Sequence, residues 1–275
     1  MKKAKIYIIT YISLAIFYSF ILIPILWTIY ASFKTQNAIS NVNQMFSLKG
    51  FTLGNYKGVL STNTGIPLYI VNSFITASSV TLISLFAGIT GGYSFSRFKI
   101  RGSNFLLLII FGAQMFPGVL LLIPLYNLLF AYHLVNTLLG IVIVQSTLVI
   151  PLSVWLLKGF FDGIPKEIDE AAIVDGGGLW RTLLYVIIPM SMPGIIVAGF
   201  YSFVVSWGDF VMASVVVGSN STTTLSLGLE AIARSSTTQW GYVDVGATFA
   251  LLPTLVLFAV FQRWIVKGLV EGAIK

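Results

Sequence analysis

Long apolar runs separated by short polar segments set the rhythm of this chain. Residues 6–33 carry no Asp, Glu, Lys or Arg, and the run is bracketed by Lys5 and Lys34. A second apolar run starts near residue 68 and ends at Arg97. Between Arg101 and Lys158 the chain is again free of charge over more than 50 residues, enough for two bilayer crossings at about 20 residues each. The break between those two is expected over 123–136, which holds Pro124, Asn136 and the only His. A fifth span is expected over residues 187–213 and a sixth over 245–261, closed by Arg263. The pattern predicts an all-α integral membrane protein with six transmembrane helices. It forms one membrane domain over residues 1–275, with polar loops at 35–66 and 214–244, a charged loop at 159–186 and a tail at 267–275.

Composition agrees. Hydrophobic residues make up 57% of the chain and charged ones 9%, and the mean hydropathy is +0.93. A soluble domain carries about 25% charged residues, so this chain cannot coat a globule with polar surface. With no Cys there is no disulfide framework, cysteine metal site or thiol nucleophile. The net charge of +7 is explained by loop placement rather than by a nucleic-acid-binding stripe. With the N-terminus inside, 12 of the 16 basic residues face the cytoplasm: Lys2, Lys3, Lys5, Arg97, Lys99, Arg101, Lys158, Lys166, Arg181, Arg263, Lys267 and Lys275. Only Lys34, Lys49, Lys57 and Arg234 fall outside. That bias puts both termini in the cytoplasm and the protein in the cell membrane as a multi-pass chain. The first run is too long for a secretory h-region and lacks a small-x-small cleavage site, so it is expected to stay as the first helix.

The 159–186 loop concentrates the chemistry. It holds five of the nine acidic residues: Asp162, Glu167, Asp169, Glu170 and Asp175. Pro165 suits a first helical position, acids crowd the first turn, and Ala171 and Ala172 favour helix. The run Gly176-Gly177-Gly178 should stop that helix. A second one, over 179–186, then leads to Pro189. The residues alone fit a partner contact and an ordinary solvated helical loop equally well.

Glu170-Ala171-Ala172-x-x-Asp175-Gly176, followed by Pro189 and Pro193, resembles the EAA loop of binding-protein-dependent ABC importer permeases. Gly177 stands where that family usually has Ala, and this departure should loosen the bend. Asn55-Tyr56, Asn72-Ser73, Tyr93-Ser94-Phe95-Ser96-Arg97, Met115-Phe116-Pro117, Pro124-Leu125-Tyr126 and Phe160-Phe161-x-x-Ile164-Pro165 carry the likeness along the chain. Trp207-Gly208-Asp209-Phe210 is similar to the W-N-[DE]-F of carbohydrate permeases. The end, from Phe261-Gln262-Arg263-Trp264 to Gly272-Ala273, resembles the second, six-helix permease of maltose- and maltodextrin-type importers. The resemblance implies a type I ABC importer permease fold and a transport role without enzymatic activity in this chain. It implies four partners: a second permease, a dimer of ATPase subunits that binds ATP and Mg, an extracytoplasmic sugar-binding protein, and lipid. By the same analogy Glu170, Ala171, Ala172, Asp175, Gly176 and Gly177 contact the ATPase. The tail, through Lys267, Gly268 and Gly272, reaches toward it, and the 218–244 loop meets the binding protein. No substrate-binding residue is assigned.

Other residues carry less. Asp209, near the end of the fifth span, is either a functional acid at membrane depth or an interfacial one capping a helix or touching a partner. Asp244 reads as an N-cap beneath Trp240. His133 has no Cys, Asp or Glu nearby, which argues against metal or general-base work. Trp155, Phe200, Tyr201, Phe203 and Trp207 sit at helical spacing that suits packing as well as sugar stacking. No phosphate loop occurs, since the chain has no Gly-Lys pair. An autonomous ion-coupled carrier or channel is disfavoured by nearly charge-free spans without repeated halves. A membrane enzyme is disfavoured by the lack of any nucleophile or acid–base constellation.

Overall fold

The computed structural model describes the backbone of residues 2–61, 64–235 and 238–273, and the side chains of these apart from residues 2–5, 113 and 267–273. Its regular elements are helices, with one isolated antiparallel bridge between Lys34 and Phe51. The principal helices are α1 (Lys2–Ser32), α2 (Ile66–Arg97), α3 (Ser103–Gln114), α4 (Leu122–Ala131), α5 (Leu138–Asp162) and α6 (Lys166–Val174). They are followed by α7 (Leu179–Met190), α8 (Met192–Gly208), α9 (Val211–Val216), α10 (Leu225–Ala233) and α11 (Trp240–Ala273). Among the described residues α1, α2, α5 and α11 are long and apolar enough to cross a bilayer. A fifth crossing needs the pair α7 and α8, which are bent by 82° at their junction.

The bend follows from the sequence. Pro189 and Pro193 each lack an N–H and crowd the carbonyl four residues back. The chain responds with one π-helical turn at Leu183–Ile187 and a break at Ser191, where φ is −92° and ψ is 8°. The third expected span is likewise divided. Helix α3 stops at Gln114, and a 3₁₀ turn at Gly118–Leu121 precedes α4. The break expected over 123–136 is therefore only partly a break. Leu122–Ala131 is helical, with Pro124 in its first turn, where a missing N–H costs nothing. The turn itself is confined to the residues around His133 and Asn136, whose φ values are +57° and +60°.

The chain packs as two compact units, Met1–Pro67 with Gly228–Leu252, and Leu68–Leu227 with Pro253–Lys275. In the second unit α5 is the central post. Ile141, Gln145, Val149, Ser153, Leu157 and Phe161 recur every fourth residue and are all buried, the i±4 ridge that interlocks with neighbouring helices. Where α2, α5 and α8 converge, Ser84 Oγ lies 2.6 Å from Ser153 Oγ and 2.9 Å from Ser202 Oγ. Such small hydroxyls let membrane helices approach and join them by about 0.6 kcal/mol per bond. Just below, α2 meets α5 through Gly88 and Gly92. A Cβ on Gly92 would fall 2.9 Å from the Lys158 nitrogen and 3.0 Å from the Val154 carbonyl oxygen, both backbone atoms. Gly92→Ala should therefore push α2 off α5 and lower stability by about 1–3 kcal/mol. Unchanged unfolding of that variant in detergent would contradict this packing.

The opposite end of this unit is tied by amides. Asn72 Nδ2 donates to the carbonyls of Ser221 and Thr223, each at 2.9 Å, and Ser73 Oγ accepts from the Leu225 N–H at 2.8 Å. Asn136 Oδ1 accepts from Gly218 N–H, Ser219 Oγ and Thr222 Oγ1. The polar segment that starts at residue 218 is thus a pinned corner, with Thr222, Thr223 and Thr224 buried.

In the first unit, α1 is exposed over residues 6–24, as suits a helix surrounded by lipid or another chain. Lys34, expected among the outer charges, is 1% exposed. Its ammonium donates to the carbonyls of Gln44, Ser47 and Lys49 and lies 5.0 Å from the ring centroids of both Tyr30 and Phe51. Three carbonyls and two π faces replace water around the cation. Residues 35–61 fold around it, with the short helices Gln36–Ser40, Val42–Met45 and Gly54–Leu60. Asn55 Nδ2 ties that cap back to the carbonyls of Ser32 and Lys34.

Candidate coupling site

Helix α6 forms where the sequence placed it. Pro165 is the N-cap residue at ψ 137°, and Glu167 and Asp169 occupy the first turn. The helix ends in a Schellman motif: the Gly176 N–H reaches the Ile173 carbonyl at 3.0 Å, and the Gly177 N–H reaches the Ala172 carbonyl at 2.9 Å. Gly176 carries a φ of +83°, which L side chains rarely adopt. At Gly177 a Cβ would sit 2.6 Å from the Ala172 oxygen. The expectation that Gly177 loosens the bend is overturned, because its lack of a side chain is what lets the bend close so tightly.

One face of α6 is fixed to the membrane helices. Asp169, only 7% exposed, accepts from the Tyr93 hydroxyl at 2.6 Å and from Arg97 Nε at 2.8 Å. The remaining nitrogens of Arg97 donate to the carbonyls of Phe161 at 3.0 Å and Ile164 at 3.1 Å. These carbonyls belong to the last turn of α5 and the link that follows, so one guanidinium joins the end of α2, the end of α5 and the start of α6. Phe161 and Ile164 pack with Tyr93, Leu157, Leu183, Ile187 and Ile195 in a buried cluster beneath the node, with Ile168 against it. A buried pair of this kind depends on its full set of hydrogen bonds, and here those bonds are supplied.

The other face is open. Glu170, Ala171, Asp175 and Gly176 are exposed, and Ala172 and Gly177 are half-buried. Ile173 and Val174 stand 55% and 86% exposed beside the two acids. Neither Glu170 nor Asp175 has an ion-pair partner among the described residues, where the pairs are Arg97–Asp169, Lys158–Asp162 and Arg234–Glu230. A recess of about 280 Å3 lies between α6 and α7, lined by Ala172, Asp175, Gly177, Arg181, Thr182, Tyr185 and Val186. The buried Thr182 hydroxyl has no hydrogen-bond partner among the described residues. Exposed apolar side chains next to unpaired acids, with a recess holding an unsatisfied hydroxyl, form a surface suited to another protein.

The remaining predicted residues fall as follows. The backbone of Lys267, Gly268 and Gly272 continues α11, but their side chains lie outside the described residues, as does Lys275 entirely. Asp209 serves as a helix cap. Its carboxylate accepts from the Met212 and Ala213 N–H groups at 3.3 and 3.0 Å and from Gln145 Nε2 at 3.0 Å. Asp244 is not an N-cap, since α11 begins at Trp240, whose N–H is satisfied by Gln36 Oε1 at 2.9 Å. No group of three or more His, Asp or Glu able to hold a metal occurs among the described residues. The Tyr93–Arg97–Asp169 node was not singled out from the sequence. Its signal was there: Asp169 shares the inward stripe of α6 with Ile168 and Ala172, an acid where an apolar residue belongs.

Comparison with known proteins bears on what such a site is for. The chain is 30% identical over 267 residues to the inner membrane ABC transporter permease protein YcjP of Escherichia coli, covering 96% of this chain and 95% of that one. It is 30% identical over 256 residues to the trehalose/maltose transport system permease protein MalG of Thermococcus litoralis, covering 92% and 91%. A crystal structure of a bacterial ABC transporter involved in the import of the acidic polysaccharide alginate contains a chain of the same fold. The TM-score is 0.80 at 19% identity, over 94% of this chain and 95% of that one. The family of binding-protein-dependent transport system inner membrane components matches residues 64–271, and this chain, an integral membrane transport subunit with an ABC importer permease fold, belongs to it.

Proposed function

We propose that this chain is one of two permeases in an ATP-driven sugar importer, carrying neutral oligosaccharides of the maltodextrin type. It crosses the membrane six times with both termini in the cytoplasm. The third crossing is made by the divided segment of α3 and α4, and the fifth by α8 with its bent lead-in α7. ATP and Mg are bound by a separate pair of ATPase subunits, and a sugar-binding protein docks on the outer side.

The observation that carries this reading is the two-faced helix α6. Its inner face is bonded to Arg97 and Tyr93, while Ile173 and Val174 project exposed beside Glu170 and Asp175, which have no ion-pair partner among the described residues. On this reading Glu170, Ala171, Ala172, Asp175, Gly176 and Gly177 seat in the ATPase subunit. A push on that helix passes through Asp169 to Arg97, and from there to α2 and α5 together. The tail, through Lys267, Gly268 and Gly272, adds a second contact on the same side. MalG, a trehalose/maltose permease by name, and a diacetylchitobiose uptake permease from Streptomyces coelicolor, 28% identical over 261 residues, favour a neutral oligosaccharide cargo.

Affinity purification of the tagged chain from its own membranes tests the assembly. A second permease should co-purify in equal amount and an ATPase at two subunits per permease pair, and reversing the charges of Glu170 and Asp175 should release the ATPase while the second permease stays. Purification of this chain alone, from mild detergent, would contradict the reading.

A further inference from the structure

Midway along the second unit, α3 and α5 meet over a proline. Pro151 sits inside α5, so the Thr147 carbonyl four residues back has no N–H to accept. Gln114, the last residue of α3, reaches across to this turn of α5. Its Nε2 donates to the Leu148 carbonyl at 2.9 Å and approaches the Thr147 carbonyl at 3.5 Å. Gln114 lies about 17 Å along from Ser103 at 1.5 Å per residue, and Leu148 about 15 Å along from Leu138, so the contact falls near mid-bilayer.

Yet Gln114 and Thr147 are exposed, as are Met115 and Phe116 where α3 breaks off. Irregular backbone and polar side chains at that depth face protein or a water-filled path, not lipid. The hydrogen bonds of these side chains leave polar capacity unused at the surface. One N–H of the Gln114 amide is spent on α5, and the Thr147 hydroxyl donates to the Val144 carbonyl at 2.7 Å. What remains is the Gln114 Oε1, the amide hydrogen that the Leu148 bond does not use, and the lone pairs of the Thr147 hydroxyl, all of them uncharged. Along the same seam toward α6, Phe111 packs edge-on against Trp155 at 5.9 Å, leaving Trp155 55% exposed. Uncharged hydrogen-bonding groups beside an open aromatic ring suit a solute with many hydroxyls and an apolar ring face, and they give an anion no counter-charge.

We infer that Gln114, Thr147 and Trp155 line the translocation path and contact a neutral sugar during passage. This rests on the importer reading above and adds a substrate contact within this subunit.

This chain has no cysteine of its own, and the transporter without an introduced cysteine serves as the labelling background. Thr147→Cys and Leu108→Cys are made separately in the full transporter, and labelled in membrane vesicles with a water-soluble, positively charged methanethiosulfonate. Leu108 is on the same helix as Gln114 and is 67% exposed. Thr147→Cys should react at least about tenfold faster, as a thiol on a water-filled path does and one facing lipid does not. Within a panel of maltotriose, trehalose and diacetylchitobiose, at least one sugar should slow that reaction, and an alginate trisaccharide should not. A Thr147→Cys thiol no faster than Leu108→Cys overturns the path. Protection by none of the neutral sugars, or equally by the anionic one, overturns the sugar contact. Labelling is read only on vesicles that hydrolyse ATP through the co-assembled ATPase. A failure of the importer reading therefore shows as a missing ATPase and not as an unreactive thiol.

Discussion

Asp169→Ala should destabilise the protein by about 3–5 kcal/mol, because it leaves the Arg97 guanidinium buried without its counter-charge. The pair is 7% and 10% exposed at the side chains, so solvent screening gives little relief. The Tyr93 hydroxyl loses its acceptor in the same step. Arg97→Met should cost a similar amount, since it strands Asp169 and the carbonyls of Phe161 and Ile164. The double variant Asp169→Leu with Arg97→Met should recover much of the loss, as replacing a whole buried pair by apolar residues often does. Unfolding in mixed micelles measures all three. Additive losses in the double variant would show that the two residues do not act as one node. Stability recovered in that variant need not bring transport with it, because an apolar contact does not hold α6 in one orientation as a bonded carboxylate does.

The second large effect concerns the open face. Glu170→Lys with Asp175→Lys should lower ATP-driven uptake by more than about tenfold, since two reversed charges set like against like in a docked interface. Both side chains are exposed and make no ion pair among the described residues, so folding and membrane insertion should be unaffected. ATP hydrolysis by the partner should persist while losing its response to the binding protein. Unchanged uptake would remove α6 from the coupling role.

How far the sequence carried the reading depended on whether a feature is local. Helix α6, its proline start and its glycine stop depend on residues a few positions apart, and all three were legible. The glycine run was read in the wrong sense because tightness at Gly177 comes from one carbonyl, that of Ala172, and not from a general preference for flexibility. The ends of α2 and α5 were set by Arg97 and by the Lys158–Asp162 region, which charge placement marks. The burial of Lys34 was not legible because its cage is built from backbone carbonyls, which leave no trace in composition. The Arg97–Asp169 pair spans 72 positions and the Asn72–Thr223 bond 151, and a single sequence does not reveal such pairings. The divided third span was marked by Met115-Phe116-Pro117, but helix resumed sooner than Pro124 suggested because proline is harmless in a first turn.

The central claim is that this chain moves sugar only when a separate ATPase acts on it. The measurement is uptake of labelled maltotriose into proteoliposomes that hold the permease pair and binding protein, with and without the ATPase and Mg-ATP. The account predicts uptake that requires both ATPase and nucleotide and is abolished by Glu170→Lys with Asp175→Lys. Sugar uptake by the permeases alone, independent of ATP, would contradict it.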